Sequence, residues 1–312
     1  MNLNYVYLYA YHETEKELCQ LEQRALFGYS TEDEWIVSAT KIDPSRSPFI
    51  KERLDVIEQE DSIDSLILTV SSFGETFHKF KVIYRKVGKD ETSFPTRKRV
   101  EKEIGLRLKG TPDLINPKVE LVVCKVAESW LIGKRKKSES VWLNHQKKPH
   151  QYSTALSTRV ARAVVNIAAP SIEGTRVIDP CCGIGTVLIE ALSMGINIIG
   201  SDNNPLVMKG IRENLAYFGY ECDVRLRDIR DIQVPILERF DVAVIDLPYN
   251  LCSVITSEDQ LSMLKQARLI TKRLIIVTVE NVKPILKESG FLVKDEGKIV
   301  KGSFIRHILV CE

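Results

Sequence analysis

Four aspartates, each at or just past the end of a short apolar run, are the residues of this 312-residue chain best placed to do chemistry together. Asp179 follows Val177-Ile178, Asp202 closes the run from Ile196, Asp228 stands two residues after Leu226, and Asp246 follows Val242-Ala243-Val244-Ile245. After the first comes Pro180-Cys181-Cys182-Gly183-Ile184-Gly185-Thr186, and then a helical run from Val187 that Gly195 ends. Glycines at 183 and 185 let the backbone turn tightly and approach a ligand. Strand, Gly-rich turn and helix N-terminus are the ingredients of a nucleotide pocket, and an acid one strand-helix-strand step later can hold both hydroxyls of a ribose. A dinucleotide fingerprint would need a third glycine where Leu188 stands, which disfavours a dehydrogenase. One Gly-x-Gly is often a plain connection, and one strand-end acid is commonly a helix cap. Four such acids in register, at the edge where open α/β sheets bind ligands, are not explained by capping.

The fourth acid opens Asp246-Leu247-Pro248-Tyr249. Together, Asp-Pro-x-x-Gly-x-Gly, the two later aspartates and Asp-x-Pro-Tyr resemble the S-adenosylmethionine-dependent methyltransferases that act on exocyclic amino groups of bases. The resemblance runs from about Tyr152 to the end of the chain and departs from the family's Asp-Pro-Pro-Tyr at Leu247. It implies a Rossmann-like sheet of seven strands, the last antiparallel. It also implies a cofactor site made by Ser153, Thr154, Asp179, Cys182, Gly183, Gly185, Thr186, Asp202, Asn203, Asp228, Ile229 and Asp246. In it, Ser153 or Thr154 would touch the methionine part, Asp202 the ribose and Asp228 the adenine amine. Either hydroxyl serves equally well as an ordinary N-cap.

The catalytic residues this implies are Asp246, Pro248 and Tyr249. The exocyclic amine of guanine is a poor nucleophile because its lone pair is delocalised into the ring. Asp246 can accept one of its N–H groups, and a carbonyl of Leu247 or Pro248 the other. Pro248 has no N–H and a fixed φ, so the turn presents acceptors. Tyr249 can stack on a flipped-out base. Without the glycine turn, the same tetrapeptide would read as a surface turn.

These elements need a frame. Hydrophobic residues make up 44% of the chain, enough for real cores, and the net charge of +2 conceals a strong asymmetry. Residues 1–80 carry 7 basic and 15 acidic side chains, residues 81–149 carry 18 and 8, and the remainder 19 of each. A basic block of domain size suggests a polyanion partner. The seven cysteines are scattered and form no metal-spaced pairs, which points to a reduced, cytoplasmic protein without metal. No signal-peptide h-region and no membrane-spanning run are expected.

Four segments are expected: 1–60, a small ferredoxin-like unit; 61–137, a basic α/β domain; 138–150, a linker in which Trp142 packs between domains; and 151–312, the methyltransferase domain. In the first, residues 2–11 read as a strand, 12–27 as a helix, 35–38 as a strand, 47–57 as a helix carrying Ile50, Leu54 and Ile57, and 66–70 as a strand. In the second, a strand at 80–85 precedes a helix over 95–109 that carries Arg97, Lys98 and Arg99. Asp113-Leu114-Ile115-Asn116-Pro117-Lys118-Val119 then leads into another strand. This segment resembles the THUMP domain of RNA-modification enzymes, which grips the acceptor end of tRNA. Arg97, Lys98, Arg99, Lys134 and Arg135 are the RNA contacts so implied, although a solvated helix face accounts equally well for the first three. In the last segment, Tyr152-Ser153-Thr154 is expected to cap a helix, Ser257 with Gln260 to form a capping box, and 291–293 to pair with 304–310.

The combined reading is a tRNA guanine-N2 methyltransferase using S-adenosylmethionine. Two alternatives stand: an amino methyltransferase on ribosomal RNA or DNA adenine, and an inactive RNA-binding protein on a methyltransferase fold.

Overall fold

The computed structural model describes residues 5–153, 155–247, 255–302 and 304–312. Its elements in chain order are β1 (Tyr5–Tyr9), α1 (Lys16–Phe27), β2 (Trp35–Ser38), β3 (Ile50–Glu60), α2 (Ile63–Thr69), β4 (Phe77–Tyr84), α3 (Phe94–Arg107), β5 (Gly110–Pro112), β6 (Val119–Val126) and β7 (Ser129–Lys137). There follow α4 (Thr158–Ala168), β8 (Arg176–Asp179), α5 (Thr186–Ser193), β9 (Asn197–Asp202), α6 (Pro205–Tyr217), β10 (Val224–Leu226), β11 (Phe240–Asp246), α7 (Ser257–Ile270), β12 (Thr271–Thr278), α8 (Lys283–Glu288), β13 (Val293–Lys301) and β14 (Phe304–Cys311). They form two compact units. The first comprises Met1–Ala10, Thr31–Ser45 and Phe49–Glu139; the second comprises Tyr11–Ser30, Arg46–Pro48 and Ser140–Glu312.

The first unit is one seven-stranded sheet in the order β2-β1-β3-β7-β6-β4-β5. Segments on both sides of residue 60 contribute strands to it. Helices α2 and α3 bury Leu66, Ile67, Val100 and Ile104 against Phe80, Val82, Leu121 and Val123. Two expectations fail here. Residues 50–57 are not a helix but the start of β3, paired between β1 and β7. The spacing of Ile50, Leu54 and Ile57 mimics a helical face. The strand is possible because Glu52, 1% exposed, is ion-paired to Arg135 and to Arg85 at 2.9 Å. Residues 66–70 are not a strand. Ser62 caps α2 there, its Oγ accepting from Ser65 N at 3.0 Å.

The second unit is the expected α/β sheet, in the order β10-β9-β8-β11-β12-β14-β13. Strands β8 to β12 run parallel, and β14 is antiparallel to both β12 and β13. Ile178, Ala243, Ile245, Leu264, Ile276 and Leu309 lie in its core. Helix α1 belongs to this unit, packed on α4 and β13. Its Glu22 is fully buried. The carboxylate accepts from Ser47 Oγ and from Asn166 Nδ2, the latter at 2.6 Å. Arg46 donates to Asn166 Oδ1 at 2.9 Å and to the carbonyl of Pro170 at 2.7 Å. Arg162, 2% exposed, donates to the Arg46 carbonyl and to Glu190 Oε2, both at 3.0 Å.

Boundaries move in four places. Residues 141–147, expected inside an irregular linker, form a 3-10 helix that buries Trp142 and His145. Trp142 stacks under the guanidinium of Arg159, and His145 Nδ1 lies 2.8 Å from Glu190 Oε1. Helix α4 is capped by Ser157, not by residues 152–154, because Ser157 Oγ reaches Val160 N at 3.3 Å. Helix α7 is capped by Thr256 with Asp259, one residue before the expected Ser257 and Gln260 pair. Strand β13 begins at Val293, where 291–293 was expected to be the strand itself.

Candidate active site

The parallel strands of the second unit end together, and their last residues carry the acids. Asp179 ends β8, Asp202 ends β9, Asp228 follows β10 and Asp246 ends β11. The turn between β8 and α5 is held from both sides. Cys182 N donates to Ser201 O at 3.0 Å, and Gly183 N to Asp202 Oδ2 at 2.8 Å. Gly183 and Gly185 have φ of +51° and +81°, a region costly for other residues. At Gly185 a Cβ would stand 2.7 Å from the Ile211 side chain, so this glycine serves helix–turn packing. At Gly183 it would meet nothing within 4 Å, and the space beside it is the mouth of a cavity.

That cavity has a volume of 370 Å³, and its walls include Ser153, Asp179, Cys182, Gly183, Thr186, Asp202 and Asp246. A second, of 440 Å³, is bounded by Asn203, Asp228, Ile229, Arg230 and Asp259. The two share Cys181, Asp202, Asn204 and Asp246. Both sizes suit a small organic ligand. Nearly all the expected cofactor residues are thus brought together, with Gly185 behind the wall rather than in it. Thr154, Pro248 and Tyr249 lie outside the described residues. The wall also includes Leu156 and Val207, which the motifs did not single out; only their closeness to motif residues in the chain marked them.

The four acids differ in state. Asp228 accepts from Arg230 N, Nε and Nη2 and from Asn203 Nδ2, all between 2.8 and 3.0 Å. The Arg230 side chain foremost holds its pKa down at about 2. Four donors on two oxygens leave it no free lone pair, so an adenine amine must displace one of them. Asp202 accepts one backbone N–H on each oxygen, from Gly183 and Asn204, and each oxygen retains a second lone pair. Among the described residues, Asp179 accepts only from Cys181 N at 3.2 Å. Burial, aided by Asp202 and Asp246, pushes its pKa well above the usual carboxylate range. Oδ1 of Asp246 is buried and, among the described residues, has no hydrogen-bond partner. Burial lifts the Asp246 pKa to about 7 against the opposing charge of Arg306. Thr186 Oγ1 is likewise buried without a partner among the described residues. The sequence motif departs from its family at Leu247, and the structure shows the effect. Leu247 N donates to Val277 O at 3.0 Å, a bond proline could not make, and its side chain is 2% exposed. This bond closes the last pair of the β11–β12 ladder, Asp246 with Val277.

The expected RNA contacts lie in the first unit, in two places. On α3, Arg97 and Lys98 lie over the exposed Phe94 ring, Lys98 pairs with Glu101 at 2.6 Å, and Arg99 approaches Glu103 at 3.7 Å. On β7, Lys134 pairs with Glu75 at 2.6 Å, and Arg135 is held between Glu52 and Glu120. No cluster of metal-ligating side chains occurs among the described residues, and no described helix is long and apolar enough to cross a membrane.

A sheet of this order, with a glycine turn and strand-end acids beside two adjoining cavities, is a Rossmann-like α/β fold. Residues 145–273 match the family described as UPF0020, RMKL-like, methyltransferase domain. Over 113 residues it is 35% identical to the tRNA (guanine(10)-N2)-dimethyltransferase of Methanothermobacter thermautotrophicus, covering 36% of this chain and 33% of that one. Over 286 residues it is 24% identical to the enzyme of the same name from Methanocaldococcus jannaschii, covering 86% and 73%. The first match thus spans about a third of the relative's length. The crystal structure of TrmN from Thermus thermophilus aligns over 99% of both chains with 18% identity and a TM-score of 0.49.

Proposed function

We propose that this protein transfers methyl groups from S-adenosylmethionine to the exocyclic N2 amine of a guanosine in tRNA, in the cytoplasm. The observation that carries this reading is Asp246, half-buried at a strand end on the cavity wall, whose Oδ1 is buried and lacks a partner among the described residues. Burying an unpartnered carboxylate is costly, and a ligand N–H would offset that cost. The names of the two archaeal relatives favour guanosine N2 over adenine N6 and tRNA over other nucleic acids.

The cofactor supplies an electrophilic methyl group on a sulfonium. The chain's residues have distinct tasks around it. Asp202 uses its free lone pairs for the ribose hydroxyls. Asn203, Asp228 and Ile229 bound the adenine end. Ser153, Cys182, Gly183 and Thr186 line the methionine end, with Asp179 beneath the turn; Thr154 would join them. Asp246 accepts an N–H of the substrate amine, drawing its lone pair out of ring conjugation towards the methyl. Pro248 and Tyr249 would supply the second acceptor and the stacking surface. Positioning of this kind supplies much of the rate.

We read the first unit, which takes in the segment 61–137 and the parts of 1–60 outside Tyr11–Ser30 and Arg46–Pro48, as the RNA-gripping module, with 138–150 leading into the methyltransferase domain at 151–312. Arg97, Lys98, Arg99 and Lys134 would face phosphates, while Arg135 supports them from within the sheet. The test is methylation of tRNA, ribosomal RNA and DNA with labelled cofactor, followed by nucleoside mass spectrometry. The expected products are N2-methylguanosine and its dimethyl form in tRNA. N6-methyladenine, or label only in ribosomal RNA or DNA, would support the alternative substrates. No label and no cofactor binding would leave an RNA-binding protein.

A further inference from the structure

Helix α6 lies beside the cavity, and three of its residues face His150, of which one, Asn214, bonds to both backbone segments that form one end of the cavity. Asn214 is fully buried. Its Oδ1 accepts from His150 N at 2.9 Å, and its Nδ2 donates to His150 O at 3.0 Å, so the amide pairs with His150 as a neighbouring strand would. The other Nδ2 hydrogen goes to Ile184 O at 3.0 Å, in the middle of the glycine turn. One turn earlier, Gly210 makes room for this approach: a Cβ there would stand 3.3 Å from the His150 side chain. Between them, Glu213 pairs with His150 Nε2. Positions 210, 213 and 214 share one helix face. Just beyond His150, Tyr152, Ser153 and Leu156 enter the cavity wall, and Ile184 enters it from the turn. Asn214 itself is not in the wall.

We propose that Asn214 is a positioning residue that fixes the spacing between the segment after His150 and the glycine turn, and so shapes the methionine end of the cofactor site. This rests on the cofactor reading given above. The side chain ties two otherwise unconnected backbones through three bonds, in a place where no water competes for them. Its effect is therefore confined to the end of the ligand that these two segments touch. The adenine end is built from Asn203, Asp228 and Ile229, which follow β9 and β10, and the three bonds of Asn214 go elsewhere.

The experiment is calorimetric titration of the full-length protein with S-adenosylmethionine and with 5′-methylthioadenosine, which lacks the amino-acid end. The variants are Asn214→Ala and Gly210→Ala, with folding checked by circular dichroism. Asn214→Ala is expected to weaken S-adenosylmethionine binding about tenfold or more while moving methylthioadenosine less than about twofold. Gly210→Ala is expected to act in the same direction and more weakly, and it decides the matter should Asn214→Ala not fold. Equal weakening of both ligands, or unchanged S-adenosylmethionine affinity in a folded variant, overturns the role of Asn214. Failure of the wild-type protein to bind S-adenosylmethionine would instead overturn the cofactor reading on which it rests.

Discussion

Strands β3, β6 and β7 of the first unit and the ends of β8 to β11 in the second both hold carboxylates out of water, in opposite ways. In the first unit, Glu52 is 1% exposed and lies against two arginines, Arg85 and Arg135. Glu120 takes Arg135 at 3.3 Å and Lys137 at 3.0 Å; burial opposes ionisation, but these cations hold its pKa below the usual value. In the second unit, Asp246 has one oxygen without a partner among the described residues, and burial leaves its pKa at about 7. Asp228 stands between the extremes: it lies on the cavity wall, yet four donors occupy it and its pKa is about 2. A carboxylate closed by cations is part of the architecture. One kept buried and incomplete is unfavourable for folding and is available to a ligand.

The comparison can be broken most severely by cutting the chain. A fragment of residues 150–312 lacks α1, Arg46, Ser47 and His145, so Asn166, Arg162 and Glu190 lose buried partners and α4 loses its cover. We expect no cooperative melting transition and no cofactor binding from it, by calorimetry. A fragment that melts cooperatively and binds would show that the buried network is dispensable. Next comes Asp246→Ala, which should lower methyl transfer by about 10²–10⁴-fold while cofactor affinity stays near wild type. Near-normal single-turnover rates would remove Asp246 from the reacting centre. In the first unit, Glu52→Ala should do the reverse. It leaves two cations without their acid and should cost about 3 kcal/mol of stability in denaturant unfolding, with cofactor affinity unchanged.

Smaller effects sharpen the contrast. The folded pKa of Asp246, about 7, lies above its ordinary value of 3.8, so the folded state holds this proton more tightly than the unfolded chain. Stability from this group is therefore full below pH 4 and declines as pH rises towards 7. Asp246→Asn should raise the melting temperature at pH 8, by the equivalent of about 1–3 kcal/mol, and change it little at pH 4. Equal shifts at both pH values would contradict the assignment. Last, replacing Arg97, Lys98 and Arg99 by alanine should weaken tRNA binding and flatten its salt slope by about 1–3, leaving cofactor affinity intact. The ion pairs of Lys98 and Arg99 with Glu101 and Glu103 keep this at the lower end. An unaltered slope would place the phosphate contacts elsewhere.

Much of the second unit was legible because parallel strands are short apolar runs with chemistry at their ends, and the acids at 179, 202, 228 and 246 mark those ends. What could not be read there was the state of each acid. Nothing in the order of residues distinguishes Asp228, saturated by Arg230 two positions on, from Asp246, which is left open. The first unit was read less well for one reason. Its central strand β3 buries a charge, Glu52, whose partner Arg135 lies 83 positions away. Local periodicity registers Ile50, Leu54 and Ile57 and is blind to a distant cation. Helix α1 is legible from its own apolar face, but nothing local marks it as belonging with residues beyond 140, since its partner Asn166 is 144 positions from Glu22.

That assignment of α1 bears on how such proteins could be assembled from parts. The second unit takes Tyr11–Ser30 and Arg46–Pro48 from within the stretch of chain that builds the first. A single crossover at residue 140 would move the catalytic sheet to a new neighbour but leave behind the helix that covers Asn166 and the Arg46 and Ser47 groups beside it. An exchanged module would then arrive with the Asn166 amide, the Arg162 guanidinium and the carbonyls of Ala169 and Pro170 each stripped of at least one partner, and would be selected against before its activity was ever tested. The two units can therefore be inherited or engineered together, or with α1 carried across as a separate graft, but not by one cut and one join.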